Sequence, residues 1–139
     1  MFECEISNLR RYLVALVSAP RIDFDGNLRA SLPSQPGIYR ITHRDFPETT
    51  IRAGRTKTAK EGLKQRVYKN HFQGDQSGNL GAQLVRGGEC ADLSAAKDHM
   101  RANFQVQVLV IEDSITRARA EYFMLSVLAP KYSDYDKKN

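Results

Sequence analysis

Apolar residues near the N-terminus recur at the spacing of an amphipathic helix. The apolar positions of this repeat are Ile6, Leu9, Leu13, Leu16 and Val17. Pro20 ends the pattern, because proline cannot donate the backbone hydrogen bond that a helix interior requires. Residues 21–35 then mix Asp, Gly, Asn, Ser and Pro with few apolar side chains, which predicts an irregular connection.

Three later segments have the composition of β-strands. Residues 37–42 alternate apolar and polar side chains after a Pro-Gly turn, and residues 49–54 form a second β-like run close behind them. Together these two runs predict a hairpin. Residues 104–111 are rich in apolar and β-branched side chains and predict a further strand.

Helical spacing returns in three segments. The first begins at Ala59, ends near Gly74 and has basic residues between its apolar positions, which are Leu63, Val67 and Phe72. Residues 80–85 favour a short helix that ends at a Gly-Gly pair. A last helix is predicted from about residue 116, with an apolar stripe that stops at Pro130.

Length and charge change this picture only slightly. The 139 residues, 41% of them hydrophobic, suit one compact domain with a single core. The 21 Lys and Arg residues against 16 Asp and Glu give a formal net charge of +5, which favours polyanionic partners but serves solubility equally well. Charge alone therefore does not assign a function.

Cysteine usage and the N-terminus bear on the compartment. Cys4 and Cys90 are the two cysteines, far apart and without neighbouring ligands, so neither a disulfide framework nor a zinc site is indicated. The apolar stretch at residues 13–19 is too short to cross a bilayer. We therefore expect a cytoplasmic protein that does not associate with membranes.

Several short motifs occur in a fixed order along the chain. Pro-Gly-Ile-Tyr at residues 36–39 ends in Tyr39, the next strand ends at Gly54, and Gly-Leu-Lys-Gln-Arg on the basic helix ends in Arg66. Glu121 on the last helix is followed nine residues later by Pro130 in a Pro-x-Tyr ending. In this combination and order, roughly residues 36–133 resemble the GIY-YIG nuclease superfamily.

The resemblance implies a fold and a division of the chain. The expected class is α/β (α+β), with a small, mainly antiparallel three-stranded sheet flanked by helices. Residues 36–133 would form the nuclease core, after an N-terminal helix and irregular lead-in at residues 1–35. A polar tail at residues 134–139 would follow, all within one domain.

The resemblance also implies a function, which is metal-dependent hydrolysis of phosphodiester bonds in DNA by an endonuclease. Such chemistry needs a positioned water, a proton acceptor, positive charge at the phosphorus centre and a metal ligand. Tyr39 would be the base or the water-positioning group, and Arg66 the electrostatic catalyst. Glu121 would bind one divalent metal ion, Mg²⁺ or Mn²⁺.

Each of these residues also has an ordinary structural interpretation. Tyr39 could be a strand aromatic packed on the sheet, and Arg66 a solvated charge on an amphipathic helix. Glu121 could form a helical ion pair with Arg117 at i,i+4 spacing. Less favoured alternative metal ligands are Glu112 and Asp113.

The chain departs from the family pattern at two positions. Arg52 stands where the second tyrosine of the family is expected, and Ser133 stands where a closing asparagine is expected. An arginine can hold phosphate or favour the phenolate form of Tyr39, but it cannot replace a tyrosinate as proton acceptor. His71 is a further candidate catalytic group, as a proton shuttle, and His43 is a weaker one.

Basic residues around these motifs are candidates for contacts with the nucleic-acid backbone. The predicted nucleic-acid-binding residues are Arg52, Arg55, Lys57, Lys64, Tyr68 and Lys69, with Lys60 beside them. Target recognition would come from a homodimer, a partner protein, or the segments at residues 21–35 and 73–98.

Two other functions stay open. A non-catalytic nucleic-acid-binding relative would bind without cutting, and a protein-interaction domain would show no salt-sensitive nucleic-acid binding. The motifs are compatible with DNA or RNA and with restriction, repair or mobile-element roles.

Overall fold

The computed structural model describes residues 2–58, 60–74 and 78–133, where it has six helices and four strands in a mixed α/β fold. The strands are β1 (Ile22–Asp23), β2 (Gly37–His43), β3 (Thr50–Arg55) and β4 (Phe104–Val110). The helices are α1 (Phe2–Val17), α2 (Leu28–Ser31), a π-helix (Lys64–Phe72), α3 (Leu80–Arg86), α4 (Leu93–Asn103) and α5 (Ser114–Leu128). Ala59, where the basic helix was predicted to begin, and the predicted tail at residues 134–139 lie outside the described residues.

The sheet is antiparallel, and its strand order is β1-β4-β2-β3. The three predicted strands are confirmed as β2, β3 and β4, with β2 between the other two. The expectation of three strands was wrong by one, since Ile22 and Asp23 add a fourth by pairing with β4. Two residues are too few to show the alternation that identifies a strand, and their pairing depends on a partner more than 80 residues away in sequence.

The predicted helices at both ends of the chain are confirmed as α1 and α5, and the short helix after residue 80 as α3. The sequence did not predict α4, whose buried side chains are few, Ala96 and Met100. A local signal was present, because the Asp92 side chain accepts a hydrogen bond from the Ala95 amide and caps the helix.

The basic helix has π-helical rather than α-helical hydrogen bonding. The Gln73 amide donates to the Tyr68 carbonyl, five residues back, over 3.0 Å. The side chains of Gln65 and Asn70, again five apart, are joined by a hydrogen bond of 3.2 Å. Residues at i and i+5 therefore lie above one another on this helix, which is not so in an α-helix.

The sheet separates two apolar layers. On one face, Tyr39 and Ile41 pack with residues of the π-helix, α3 and α4. On the other face, Ile38 and Ala53 pack with residues of α1 and α5. No helix in the described part of the chain combines the length and hydropathy needed to cross a membrane.

Candidate active site

Tyr39 is buried in the middle of β2, directly opposite Gly54 on β3. A Cβ atom added to Gly54 would lie 2.7 Å from the Tyr39 hydroxyl oxygen, closer than real Cβ atoms approach other atoms. Because Gly54 has no side chain, the Tyr39 phenol can occupy the space above it. The glycine and the tyrosine of the two strand motifs are thus linked by packing.

The Tyr39 hydroxyl oxygen lies 2.6 Å from Nε2 of His71, on the π-helix. The other ring nitrogen, Nδ1 of His71, accepts a hydrogen bond of 3.1 Å from the Leu80 backbone amide at the start of α3. A neutral imidazole that accepts at Nδ1 carries its proton on Nε2. His71 in its neutral form therefore donates to the Tyr39 oxygen.

His71 is held in that neutral form by its surroundings. Burial, followed by the positive charges of Arg52 and Arg66, lowers the pKa of His71 well below its usual range. All three effects disfavour an additional positive charge on the His71 ring. In this tautomer His71 is the donor and the Tyr39 oxygen is the acceptor, so the hydrogen bond orients the Tyr39 hydroxyl. His71 does not receive a proton from Tyr39.

Arg52, which occupies the position of the second family tyrosine, is fully buried. Its Nη1 atom donates to the Gly78 carbonyl over 3.0 Å and to the Gln83 side-chain oxygen. Its backbone forms a bridge with Tyr132, next to the departure at Ser133. The buried guanidinium does not reach the surface where a phosphate would approach, so the predicted backbone contact is not available to Arg52 in this conformation.

Glu121 is also fully buried, on α5. Its Oε1 atom lies 2.8 Å from Nη1 of Arg55, at the end of β3. The Arg55 guanidinium in turn lies over the Tyr122 ring, 5.8 Å from its centroid. The alternative pairing of Glu121 with Arg117 was wrong, because Arg117 donates to the carbonyls of Thr56, Ile111 and Glu112.

Arg66 is half-buried and lies five residues before His71 on the π-helix. The π-helical register therefore places both residues on the side of the helix that faces Tyr39. Gly54, which lies against Tyr39, and Arg55, which holds Glu121, are neighbours on β3, so the two groups lie on opposite faces of the sheet.

No protein family, curated protein or solved structure that was compared matches this chain. The resemblance to nucleases therefore rests on the sequence motifs alone.

The other predicted residues lie outside this cluster. Lys57 and Lys69 are exposed and Lys64 is half-buried. Tyr68 packs against the core, with its ring centroid 6.1 Å from that of Phe72. His43 stacks at the edge of Phe104 instead, away from Tyr39.

Two contributors to the cluster were not identified from the sequence. Gln83 binds the Arg52 side chain, and the Leu80 amide fixes the tautomer of His71. Both belong to α3, which reaches the cluster only through the tertiary fold. A glutamine at an ordinary helical position carries no motif that would have indicated this role.

The donor chemistry of Glu121 fits a hard divalent cation, since its buried carboxylate already binds a positive charge. In the described residues, no three His, Cys, Asp or Glu side chains are grouped as a metal site. A metal ion at Glu121 would thus need water and substrate phosphate as its remaining ligands, a common arrangement for Mg²⁺.

Proposed function

We propose that this protein is a metal-dependent endonuclease of the GIY-YIG type, which hydrolyses phosphodiester bonds in DNA. The observation that carries the proposal is the hydrogen bond between the Tyr39 hydroxyl and neutral His71, next to the charges of Arg52 and Arg66. This hydrogen bond fixes the direction in which the Tyr39 hydroxyl points. A buried tyrosine hydroxyl takes a hydrogen-bond partner in any role, so it is the adjacent arginine charges that favour catalysis over packing.

Tyr39 acts on the attacking water, either as its base or by orienting it. The Nε2 proton of His71 donates to the Tyr39 oxygen and so fixes the direction of the hydroxyl group. A phenolate is the form that can accept a proton from water. His71 is a positioning residue in this scheme, because it acts through Tyr39.

Arg66 stabilises the negative charge that develops on the phosphate oxygens. Its guanidinium remains cationic at all working pH values and offers paired donors to two oxygens. Half-burial keeps part of the residue accessible while the protein environment limits its screening by water.

Glu121 is the metal ligand of the proposal. A bound Mg²⁺ or Mn²⁺ supplies Lewis-acid stabilisation of the phosphate and of the leaving oxygen. A metal ion at Glu121 would compete with Arg55 for the carboxylate, and a displaced Arg55 guanidinium would be available to a phosphate.

Tyr39, His71 and Glu121 have no exposed surface, whereas the Arg55 side chain is 18% exposed and Arg66 is half-buried. Arg55 and Arg66 are therefore the members of the two groups that a substrate phosphate would meet first.

The test is plasmid cleavage by purified protein with Mg²⁺ or Mn²⁺ and, separately, with EDTA. We expect nicking that requires the metal and falls by at least about 100-fold in Glu121→Gln. Glu112→Gln is the matched control, because Glu112 is an exposed carboxylate just before α5, and it keeps wild-type cleavage. Cleavage that is equal with EDTA, or unchanged in Glu121→Gln, contradicts the proposal.

A second candidate function is nucleic-acid binding without turnover. It is favoured by Arg52, which is committed to buried hydrogen bonds at the position of the second family tyrosine. Salt-sensitive binding to duplex DNA, with no cleavage in either metal, would select this function over the nuclease.

A further inference from the structure

A second group of cationic side chains surrounds a cavity on the other side of the π-helix. The cavity has a volume of ≈ 220 Å³. Its polar lining residues are Arg29, Ser34, Lys60, Lys64, Gln65 and Lys69. We call it the lysine pocket.

The π-helical register builds this pocket. Lys64 and Lys69 are five residues apart and therefore lie above one another. They are displaced by two positions from Arg66 and His71, which turns them roughly to the opposite side of the helix. The lysine pocket is thus separate from the Tyr39 cluster.

The residues at the start of the π-helix are hydrogen-bonded to the segment that follows α2. The backbone amides of Leu63 and Lys64 donate to the carbonyls of Gln35 and Pro33 over 3.0 and 2.9 Å. A Cβ atom on Gly62 would lie 1.8 Å from the Ser34 carbonyl oxygen, so the two segments touch at that point. This contact brings Ser34 to the same pocket as the lysines.

The charges in the pocket are not balanced. Among the described residues, no acidic side chain lines it and its four cations form no ion pair. Holding four like charges around one small cavity raises the free energy of the folded state. An anion with several acceptor oxygens removes this cost and satisfies the ammonium, guanidinium, hydroxyl and amide donors together.

We propose that the lysine pocket binds a phosphate group, as a site distinct from the candidate active site. Its volume lies below the roughly 300–1,000 Å³ of pockets for drug-sized ligands, so it fits one phosphate group better than a whole nucleotide. The phosphate belongs to a nucleic-acid backbone or is free in solution. Only the first source rests on the proposed function.

The experiment measures binding, not cleavage, so it remains decisive if the nuclease proposal fails. The affinity for a fluorescent DNA duplex is measured in EDTA over a range of salt, for wild type and for Lys64→Gln/Lys69→Gln. Arg10→Gln/Arg11→Gln is the control, because it removes the same charge from exposed positions on α1. In parallel, inorganic phosphate is titrated while the side-chain amide signal of Gln65 is followed by NMR.

We expect the lysine variant to bind duplex at least about fivefold more weakly at low salt, with a salt slope smaller by about 1–2. The arginine control stays within about twofold of wild type, and phosphate shifts the Gln65 signal. If phosphate shifts Gln65 but both variants bind DNA alike, the pocket serves free phosphate. If phosphate leaves Gln65 unmoved and the two variants bind DNA alike, the proposal is overturned.

Discussion

At the scale of single residues, the Tyr39 ring is held by what lies on either side of it. Gly54 leaves room below the phenol, and His71 donates to its oxygen. Tyr39 and Gly54 could be selected from the sequence, because each lies in a motif. Their contact could not, since it depends on the register in which β2 pairs with β3.

Gly54→Ala tests this packing. The new methyl group would overlap the Tyr39 hydroxyl, so we expect a loss of about 1–3 kcal/mol in the free energy of unfolding. Urea denaturation measures the loss. Gly26→Ala is the control, because a Cβ there meets no atom within 4 Å, and equal stability of the two variants would argue against the packing role.

The protonation of His71 predicts how stability changes with pH. The pKa of His71 is lowered by folding, so below about pH 6.5 the unfolded chain binds a proton that the folded protein does not. Stability therefore falls as pH falls. The free energy of unfolding should fall by roughly 1 kcal/mol through His71 between about pH 7.5 and pH 5.5.

Urea unfolding across that pH range measures the effect. In His71→Gln we expect the dependence on pH to be weaker by this amount, even though the variant is less stable at pH 7.5. An equally steep dependence in wild type and variant would show that His71 is protonated in the folded protein. His99→Gln serves as a control for the loss of a histidine outside the Tyr39 contact.

At the scale of elements, α3 connects Arg52 to the rest of the fold. Gln83 accepts from Arg52 and donates to the Ser133 carbonyl, which joins α3, β3 and the chain after α5. Gln83→Ala should cost about 1.5–3 kcal/mol, the usual value of a hydrogen bond to a charged group. Gln65→Ala, at an exposed position, should cost less than about 0.5 kcal/mol in the same thermal or urea unfolding.

The sequence predicted elements that carry their own signal. Alternation identified β2, β3 and β4, and helical spacing identified α1 and α5. The π-helical register was not predicted, because Leu63, Val67 and Phe72 are spaced in a way that both kinds of helix tolerate. Yet this register decides which side chains share a face, and hence that Arg66 lies with His71.

At the scale of the whole molecule, Tyr39 lies on the face of the sheet that packs against the π-helix, and Glu121 lies on α5, which packs against the other face. The motifs indicated Tyr39, Arg66 and Glu121 as a set. The fold adds two features that the motifs did not indicate, the ion pair between Glu121 and Arg55 and the burial of Tyr39. Neither could be predicted locally, since both depend on side chains that meet across long stretches of sequence.

In the proposed function, the Tyr39 hydroxyl acts in phosphodiester cleavage. Comparing the rate of plasmid nicking in Mn²⁺ by wild type and by Tyr39→Phe, a change that removes one oxygen atom, tests this role. We expect a rate lower by about 100-fold to 10,000-fold, with duplex binding in EDTA unchanged. A Tyr39→Phe protein that nicks plasmid at the wild-type rate would contradict this role.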